Sequence, residues 1–315
     1  LEPRVRFADR LCDAVKRKGT CLVVGLDPVA ERLPVELRGG SQPAGGGACR
    51  IDAILEFCTQ TAELVAPMVP AVKINIAFFE RYLAAGIDAY FELVGRAKRF
   101  GLEVIGDVKR GDIGHTAAMY AAAHLADGDS TTGVRRYVPD AVTVNGFAGM
   151  EGILPFAEAA DREGRGVFVW VRASNPTAAE IQDFAGGDGR MMHEVLADVV
   201  GRVARQPARI GDSGYSSVGM VAGGLSAEKA LEFRARYDHV WFLVPGYGRQ
   251  GCAAADCVKL CKADGTGALI NASRSIIYAF ETPSYAERFG GDWKAAVEQA
   301  VVDARADLAR AAGEK

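Results

Sequence analysis

The chain has 315 residues, 49% of them hydrophobic and 24% charged, with a formal net charge of −3. This is an ordinary globular composition with enough apolar material for a large core. The near balance of charge gives no basis for a broad nucleic-acid surface. No apolar run approaches the roughly 20 residues that span a bilayer, and the N-terminal "LEPRVRFADR" has no secretory core. The expectation is a cytoplasmic protein with neither membrane nor nucleic acid as partner.

Eight short β-rich runs follow one another along the chain. They are "CLVVGLD" (21–27), "AVKINIA" (71–77), "LEVIGDVK" (102–109), "AVTVNGF" (141–147), "GVFVWVRAS" (166–174), "GMVAGGL" (219–225), "HVWFLVPG" (239–246) and "GALINAS" (267–273). Each is a mostly continuous apolar run, the pattern of a parallel strand covered on both faces. Amphipathic stretches lie between them, such as "AILEFCTQTAELVAPMV" and "YFELVGRAKRFG", the latter ending on a helix-stopping glycine. Eight such alternations predict a (β/α)8 barrel. The first turn, "GLDPVAE", is not the glycine fingerprint of a dinucleotide-binding open sheet. A single domain over 1–315 is expected, with surface insertions at 32–50 and 126–140.

Seven cysteines stand at 12, 21, 49, 58, 252, 257 and 261. The odd count and absence of CxxC pairs argue against a disulfide framework. Cys252, Cys257 and Cys261 lack a fourth ligand nearby in sequence, so free thiols are expected rather than zinc. Four histidines, 115, 124, 193 and 239, share no ligand spacing and read as surface or structural residues. No metal site is predicted.

In a barrel of this kind the C-terminal strand ends build the active site. Read in order, those ends carry Asp27, Lys73 with Asn75, Asp107 with Lys109, Asn145 and Ser174. The segments "PGYGRQG" and "NASRS" follow. The N-terminal ends mostly lack such groups. Residues two apart share a strand face, so Asp107 and Lys109 point the same way, as do Lys73 and Asn75. With Val104, Ile105 and Val108 in the walls, the charges project toward the barrel mouth and must pair there, because an unpaired buried charge costs several kcal/mol. A structural ion pair closing the barrel is the plainer reading. Asp107, Lys109, Arg110 and Asp112 within six positions argue instead for chemistry. Farther along, the glycines of "PGYGRQG", beginning at Gly246, let backbone N–H groups approach an anion. Arg274 adds a guanidinium fork, and together they predict a phosphate site. The residues thus imply a small phosphorylated ligand facing a Lys/Asp array.

The Asp107-x-Lys109-x-x-Asp112 motif followed by "IGHT" resembles the orotidine 5′-phosphate decarboxylases. The likeness runs from "ADRLCDAV" and "GLDP" to "INASRSIIYAF". Its "VKINIAFFE", "DVKRGDIG", "RASNP" and "VPGYGRQG" segments are similar to the longer bacterial branch of that family. The resemblance implies decarboxylation of orotidine 5′-monophosphate (OMP) to UMP in pyrimidine biosynthesis, without a cofactor, by a homodimer. It implies that Lys109 protonates C6, that Asp107 faces the substrate carboxylate, and that Lys73 binds ribose and holds Asp107. Asp112 would enter the neighbouring subunit's site, with Ile113 and Thr116 beside it. Asp27 would bind a ribose hydroxyl, Ser174 would read the pyrimidine edge, and Gln250 with Arg274 would hold the phosphate. Two rivals are a magnesium-dependent sugar-phosphate decarboxylase or aldolase of the same barrel superfamily, and a non-catalytic nucleotide-phosphate binding protein. Lys73, Asn145 and Ser174 make a poor magnesium cage, and the intact charge array disfavours a silent binder.

Overall fold

The computed structural model describes residues 5–38, 47–127, 137–248 and 252–313. Eight parallel strands, each paired with the next, close into one barrel. They are β1 Leu22–Leu26, β2 Ala71–Asn75, β3 Glu103–Arg110, β4 Ala141–Asn145, β5 Gly166–Arg172, β6 Val218–Ala222, β7 Phe242–Val244 and β8 Ala268–Ala272. Closure comes from β8 returning to β1 in the register Leu22↔Ile270, Val23↔Asn271 and Val24↔Ala272. The principal outer helices are Gly47–Val65, Leu83–Arg99, Gly114–Leu125, Met150–Glu163, Met192–Ala204, Ala227–Arg236 and Trp293–Ala311. None of the described helices is long and apolar enough to cross a membrane.

The predicted barrel is therefore present, with strand centres where the apolar runs lie. The ends differ. β7 is only Phe242–Val244, ending where Pro245 has no N–H to extend the ladder. Of the predicted insertion at 32–50, the turn Val35–Leu37 is described and the helix already begins at Gly47; residues 39–46 lie outside the described residues. Of the one at 126–140, residues 128–136 lie outside them too, while Val138 to Asp140 are buried and lead into β4.

Alternation along the strands sorts the side chains into two layers. Val72, Ile74, Val104, Val108, Val142 and Val144 point outward beneath the helices. Ala71, Ile105, Ala141, Phe168, Trp241 and Leu269 point inward and form an apolar floor. Ile105 is thus not in the outer wall beside Val104 and Val108 but directly below Asp107. The helix Phe7–Lys18 seals the N-terminal end of the barrel with Phe7, Leu11 and Val15. Phe7 meets Phe168 edge-on with ring centroids 6.1 Å apart. This approach needs a glycine at 166, where a Cβ would lie 2.2 Å from the Phe7 ring.

The N-terminal rim is more polar than its sequence suggests. Arg10 donates to Glu103 at 3.1 Å and to Asp140 at 3.2 Å. Lys98 donates to Asp140 at 2.7 Å, and the other Asp140 oxygen accepts the Val104 N–H at 3.0 Å. These partners come from helices and strands far apart in the chain, so no local motif announces them.

Burial, reinforced by repulsion from Asp140, pushes the Glu103 carboxyl from its ordinary 4.5 up to about 7 against the opposing pull of Arg10. Folded Glu103 therefore holds its proton more tightly than the unfolded chain does. Its contribution to stability is full below pH 4.5 and falls as pH rises from 4.5 through about 7. Glu103→Gln should flatten that slope: between about pH 5 and pH 8 the variant should lose less urea-midpoint stability than the parent. Parallel pH profiles for the two proteins would remove Glu103 from this role.

Candidate active site

Above the apolar floor the same inward register turns polar. On β2 it runs Ala71, Lys73, Asn75; on β3 Ile105, Asp107, Lys109; on β4 Ala141, Thr143, Asn145; and on β8 Leu269, Asn271. A cavity of about 280 Å³ opens there, and Asp27, Lys73, Asp107, Lys109, Ser174 and Arg274 are among the residues lining it.

Its centre is a chain of charge. Lys73 donates to Asp107 Oδ2 at 2.7 Å, and Lys109 donates to Asp107 Oδ1 at 2.6 Å. Asp27 lies 3.7 Å from the Lys73 ammonium. Lys73, Asp107 and Thr143 are all buried, so the Lys73 and Asp107 charges cannot relax into water and hold one another, while the Lys109 side chain is 38% exposed. Burial disfavours the Asp107 carboxylate, but Lys73 and then Lys109 outweigh it and keep its pKa far below the usual carboxylate range. Burial likewise opposes the Lys73 ammonium, and Asp27 with Asp107 reverse that and raise its pKa. Both groups are charged at neutral pH.

Thr143 joins the chain from the neighbouring strand. Its hydroxyl donates to Asp107 Oδ1 at 2.9 Å and accepts the Lys109 backbone N–H at 3.0 Å. Lys109 has φ +45°, a left-handed conformation unusual for a residue with a side chain. It sits in an irregular stretch where β3 gains residues on β4, with Gly106↔Val142 followed by Arg110↔Val144. The irregularity divides the charge run. Asp107 and Lys109 face the cavity, while Arg110 turns outward to a salt bridge with Glu80. Trp170 of β5 covers a further wall, its ring centroid 5.9 Å from the Lys109 ammonium.

At the other end, Gly246 with φ +100°, Tyr247, Ser273 and Arg274 line the cavity. Asp27 Oδ1, Asn271 Oδ1 and Ser273 Oγ are buried with no hydrogen-bond partner among the described residues. Three such oxygens around one cavity mark a site built for a polar ligand.

Of the residues singled out from the sequence, Asp27, Lys73, Asp107, Lys109, Ser174, Gly246 and Arg274 thus share one cavity. Asp112, Ile113 and Thr116 do not line it. Ile113 is 53% exposed, and Asp112 accepts the Ile113 N–H at 2.8 Å. Gln250 lies outside the described residues. Asn145 turns away to accept the Phe147 N–H. Thr143 and Trp170 escaped sequence reasoning, and Asn271 entered it only as the first residue of "NASRS". The available signal was their position on the inward face two residues beyond Ala141, Phe168 and Leu269. Among the described residues no group of three or more His, Cys, Asp or Glu side chains is arranged to hold a metal ion.

The model of the orotidine 5′-phosphate decarboxylase / HUMPS family matches residues 20–289. This chain belongs to that family. It is 35% identical over 303 residues to the orotidine 5′-phosphate decarboxylase of Rhodopirellula baltica, covering 96% of this chain and 98% of the relative. It is 34% identical to that of Petrotoga mobilis over 302 residues, 95% of this chain and 97% of the relative. The solved structure of Leishmania donovani OMP decarboxylase superimposes with a TM-score of 0.71 at 27% identity, covering 98% of this chain and all of that one. The floor, the charge chain and the cavity of this orotidine 5′-phosphate decarboxylase family member all fall inside the matched span.

Thr143 positions both ends of the Asp107–Lys109 pair. Thr143→Val keeps the volume but strips the Lys109 N–H and Asp107 of a partner. It should lower kcat about 10-fold or more, with a smaller change in KM, because misplaced groups lose transition-state stabilisation first. Thr143→Ser should restore most of the rate. Steady-state kinetics of the two variants decides it, and an unchanged kcat in Thr143→Val would dismiss the positioning role.

Proposed function

We propose that this chain is a carboxy-lyase that converts OMP to UMP and carbon dioxide, and that the Lys73–Asp107–Lys109 chain carries the chemistry. The single observation that supports this most is the Asp107 carboxylate clamped between two ammonium groups at one end of a cavity whose other end offers Gly246 and Arg274.

In this reading the phosphate lies against Arg274 and the Gly246 backbone, the ribose hydroxyls reach Asp27 and Lys73, and Ser174 reads the pyrimidine edge. The substrate carboxylate then faces Asp107. Departure of carbon dioxide breaks the C6–carboxylate bond and leaves its electron pair on C6, in the ring plane, where no π system spreads it. Stabilisation must come from fixed charge. The Lys109 ammonium supplies that charge and delivers its proton to C6, leaving a neutral amine that solvent reprotonates. The hydrogen bond from Lys73 keeps Asp107 aimed at the carboxylate while the like charges repel. Binding energy from the remote phosphate holds the substrate against that repulsion.

Asp112 takes its proposed place only in a pair of subunits. Ile113 beside it, Met119 on the following helix, Phe147 just before the neighbouring helix and Met150 at its start are exposed apolar side chains. Gly152 sits against the Asp112 carbonyl, which brings the helices Gly114–Leu125 and Met150–Glu163 side by side under this patch. An apolar surface around a motif aspartate that faces away from its own cavity supports a homodimer in which Asp112 serves the partner's site.

OMP mixed with the protein in EDTA should lose its orotate absorbance as UMP forms, and Lys109→Ala should lower kcat/KM by about 10³-fold or more while remaining folded. No turnover by the parent protein would overturn the reading. The shared site has its own test. Lys109→Ala and Asp112→Ala, each inactive alone, should regain about a quarter of parental activity when mixed and allowed to exchange subunits, since half of the mixed dimers' sites are native. No recovery in a dimer shown to exchange would place Asp112 elsewhere.

A further inference from the structure

Cys252 and Cys257 are free thiols with their sulfurs 2.7 Å apart. A disulfide spans about 2.05 Å, so closing one here needs a shift of well under 1 Å. We propose that this pair is a peroxide-oxidisable dithiol that closes to an intramolecular disulfide against the wall of the substrate cavity. The two thiols divide the work. Cys252 is partly exposed on a surface groove lined by Tyr247, Ala253, Ala255, Asp307 and Arg310, whereas Cys257 is buried at the end of the short helix Ala254–Cys257.

The two sulfurs share one hydrogen bond, which lowers the pKa of Cys252. The same bond, with burial, raises that of Cys257. Cys252, the more exposed of the two, is therefore the sulfur an oxidant meets first, and Cys257 the thiol beside it. The Cys252 thiolate attacks the peroxide O–O bond, taking one oxygen as sulfenic acid and releasing the other as water. Cys257 sulfur then attacks the sulfenic sulfur; the S–S bond forms and the second water leaves. Both cysteines are oxidised by one electron each and one peroxide is reduced to two waters. The remaining described thiols are set differently. Cys12 and Cys58 are buried and burial raises their pKa, and the Cys261 and Cys21 sulfurs stand 3.8 Å apart.

The bond would form next to the cavity. The Cys252 N–H donates to the Gly246 carbonyl at 3.2 Å, and Tyr247 pairs with Cys252 in a short bridge. Gly246 and Tyr247 line the cavity at its Arg274 end. Tying Cys252 to the following helix restrains the backbone that must accept the phosphate. The oxidation itself does not depend on the proposed function; its effect on OMP binding rests on that reading.

The test treats the full chain with hydrogen peroxide near one equivalent, alkylates remaining thiols and maps the cysteines by mass spectrometry. The expected product carries a Cys252–Cys257 link, about 2 Da lighter than the dithiol, formed before Cys12 or Cys58 reacts. Cys257→Ser should instead accumulate a sulfenic acid at Cys252 that dimedone traps. Both thiols remaining alkylatable while others oxidise, or a link between any other pair, would overturn the site. In the linked protein KM for OMP should rise about threefold or more with a smaller change in kcat, and dithiothreitol should reverse it. Fully linked protein with an unchanged KM would overturn the coupling to the cavity. So would an equal rise in peroxide-treated Cys252→Ser.

Discussion

Asp107 accepts a hydrogen bond from an ammonium on each of its oxygens and a third from a threonine hydroxyl; Asp107, Lys73 and Thr143 are buried, while Lys109 reaches into the open cavity with 38% of its side chain exposed. Removing Lys73, the buried partner, costs about 3–5 kcal/mol, because the buried Asp107 carboxylate is left undercompensated. The inner face of the barrel is organised around that constraint. It is apolar below, where Ala71, Ile105, Ala141 and Leu269 meet Phe7 and Leu11. It turns polar one step higher on the same strands, where Lys73, Asp107, Thr143 and Asn271 face one another. The floor excludes solvent from beneath, so the electrostatics of the upper layer act at short range and low dielectric.

Charge is also used at the opposite rim, to a different end. Arg10, Glu103, Lys98 and Asp140 tie the N-terminal helix to the start of β3 and the approach to β4. None of these four residues lines the cavity around Asp107, and the network seals the barrel. Arg172 plays a similar part at the upper rim, donating to Asp183 at 2.7 Å and to the Gly223 carbonyl at 2.9 Å, and so fixing the segment that carries Ser174. Charged residues at strand ends are therefore of two kinds here. What separates them is whether the side chain lines the cavity, as Lys73, Asp107 and Lys109 do, or ties segments together at a rim.

Much of the fold was legible because it rests on local pattern. Eight continuous apolar runs, punctuated by glycine and polar turns, leave little besides a parallel barrel. Strand ends were less certain: β7 stops at Val244 because Pro245 follows, and the helix predicted within 53–69 begins at Gly47 inside the expected insertion. The polar N-terminal rim was missed because its members come from three separated segments, around Arg10, Lys98 to Glu103, and Asp140. Within the site, Asp107 and Lys109 were legible as a same-face pair. Thr143 and Asn271 were not, since a threonine or asparagine in a strand is ordinary until a neighbour is seen to use it.

By itself the chain determined the features that depend only on periods of two and on residue type. These are the barrel, the face shared by Asp107 and Lys109, the place of Gly246 and Arg274 at the strand ends, and the family to which the motifs belong. Tertiary structure decided everything that needs two distant segments at bonding distance. Asp27 is brought toward Lys73 by the pairing of β1 with β2, and Thr143 under Lys109 by the irregular register of β3 on β4. Backbone torsion decided the rest: the left-handed turn at Lys109 sends Arg110 outward to Glu80, and a single short helix brings Cys257 back to Cys252. Sequence spacing counts residues along the chain, whereas hydrogen bonds and charges respond only to distance in space. The two coincide along one strand and part company wherever the chain turns.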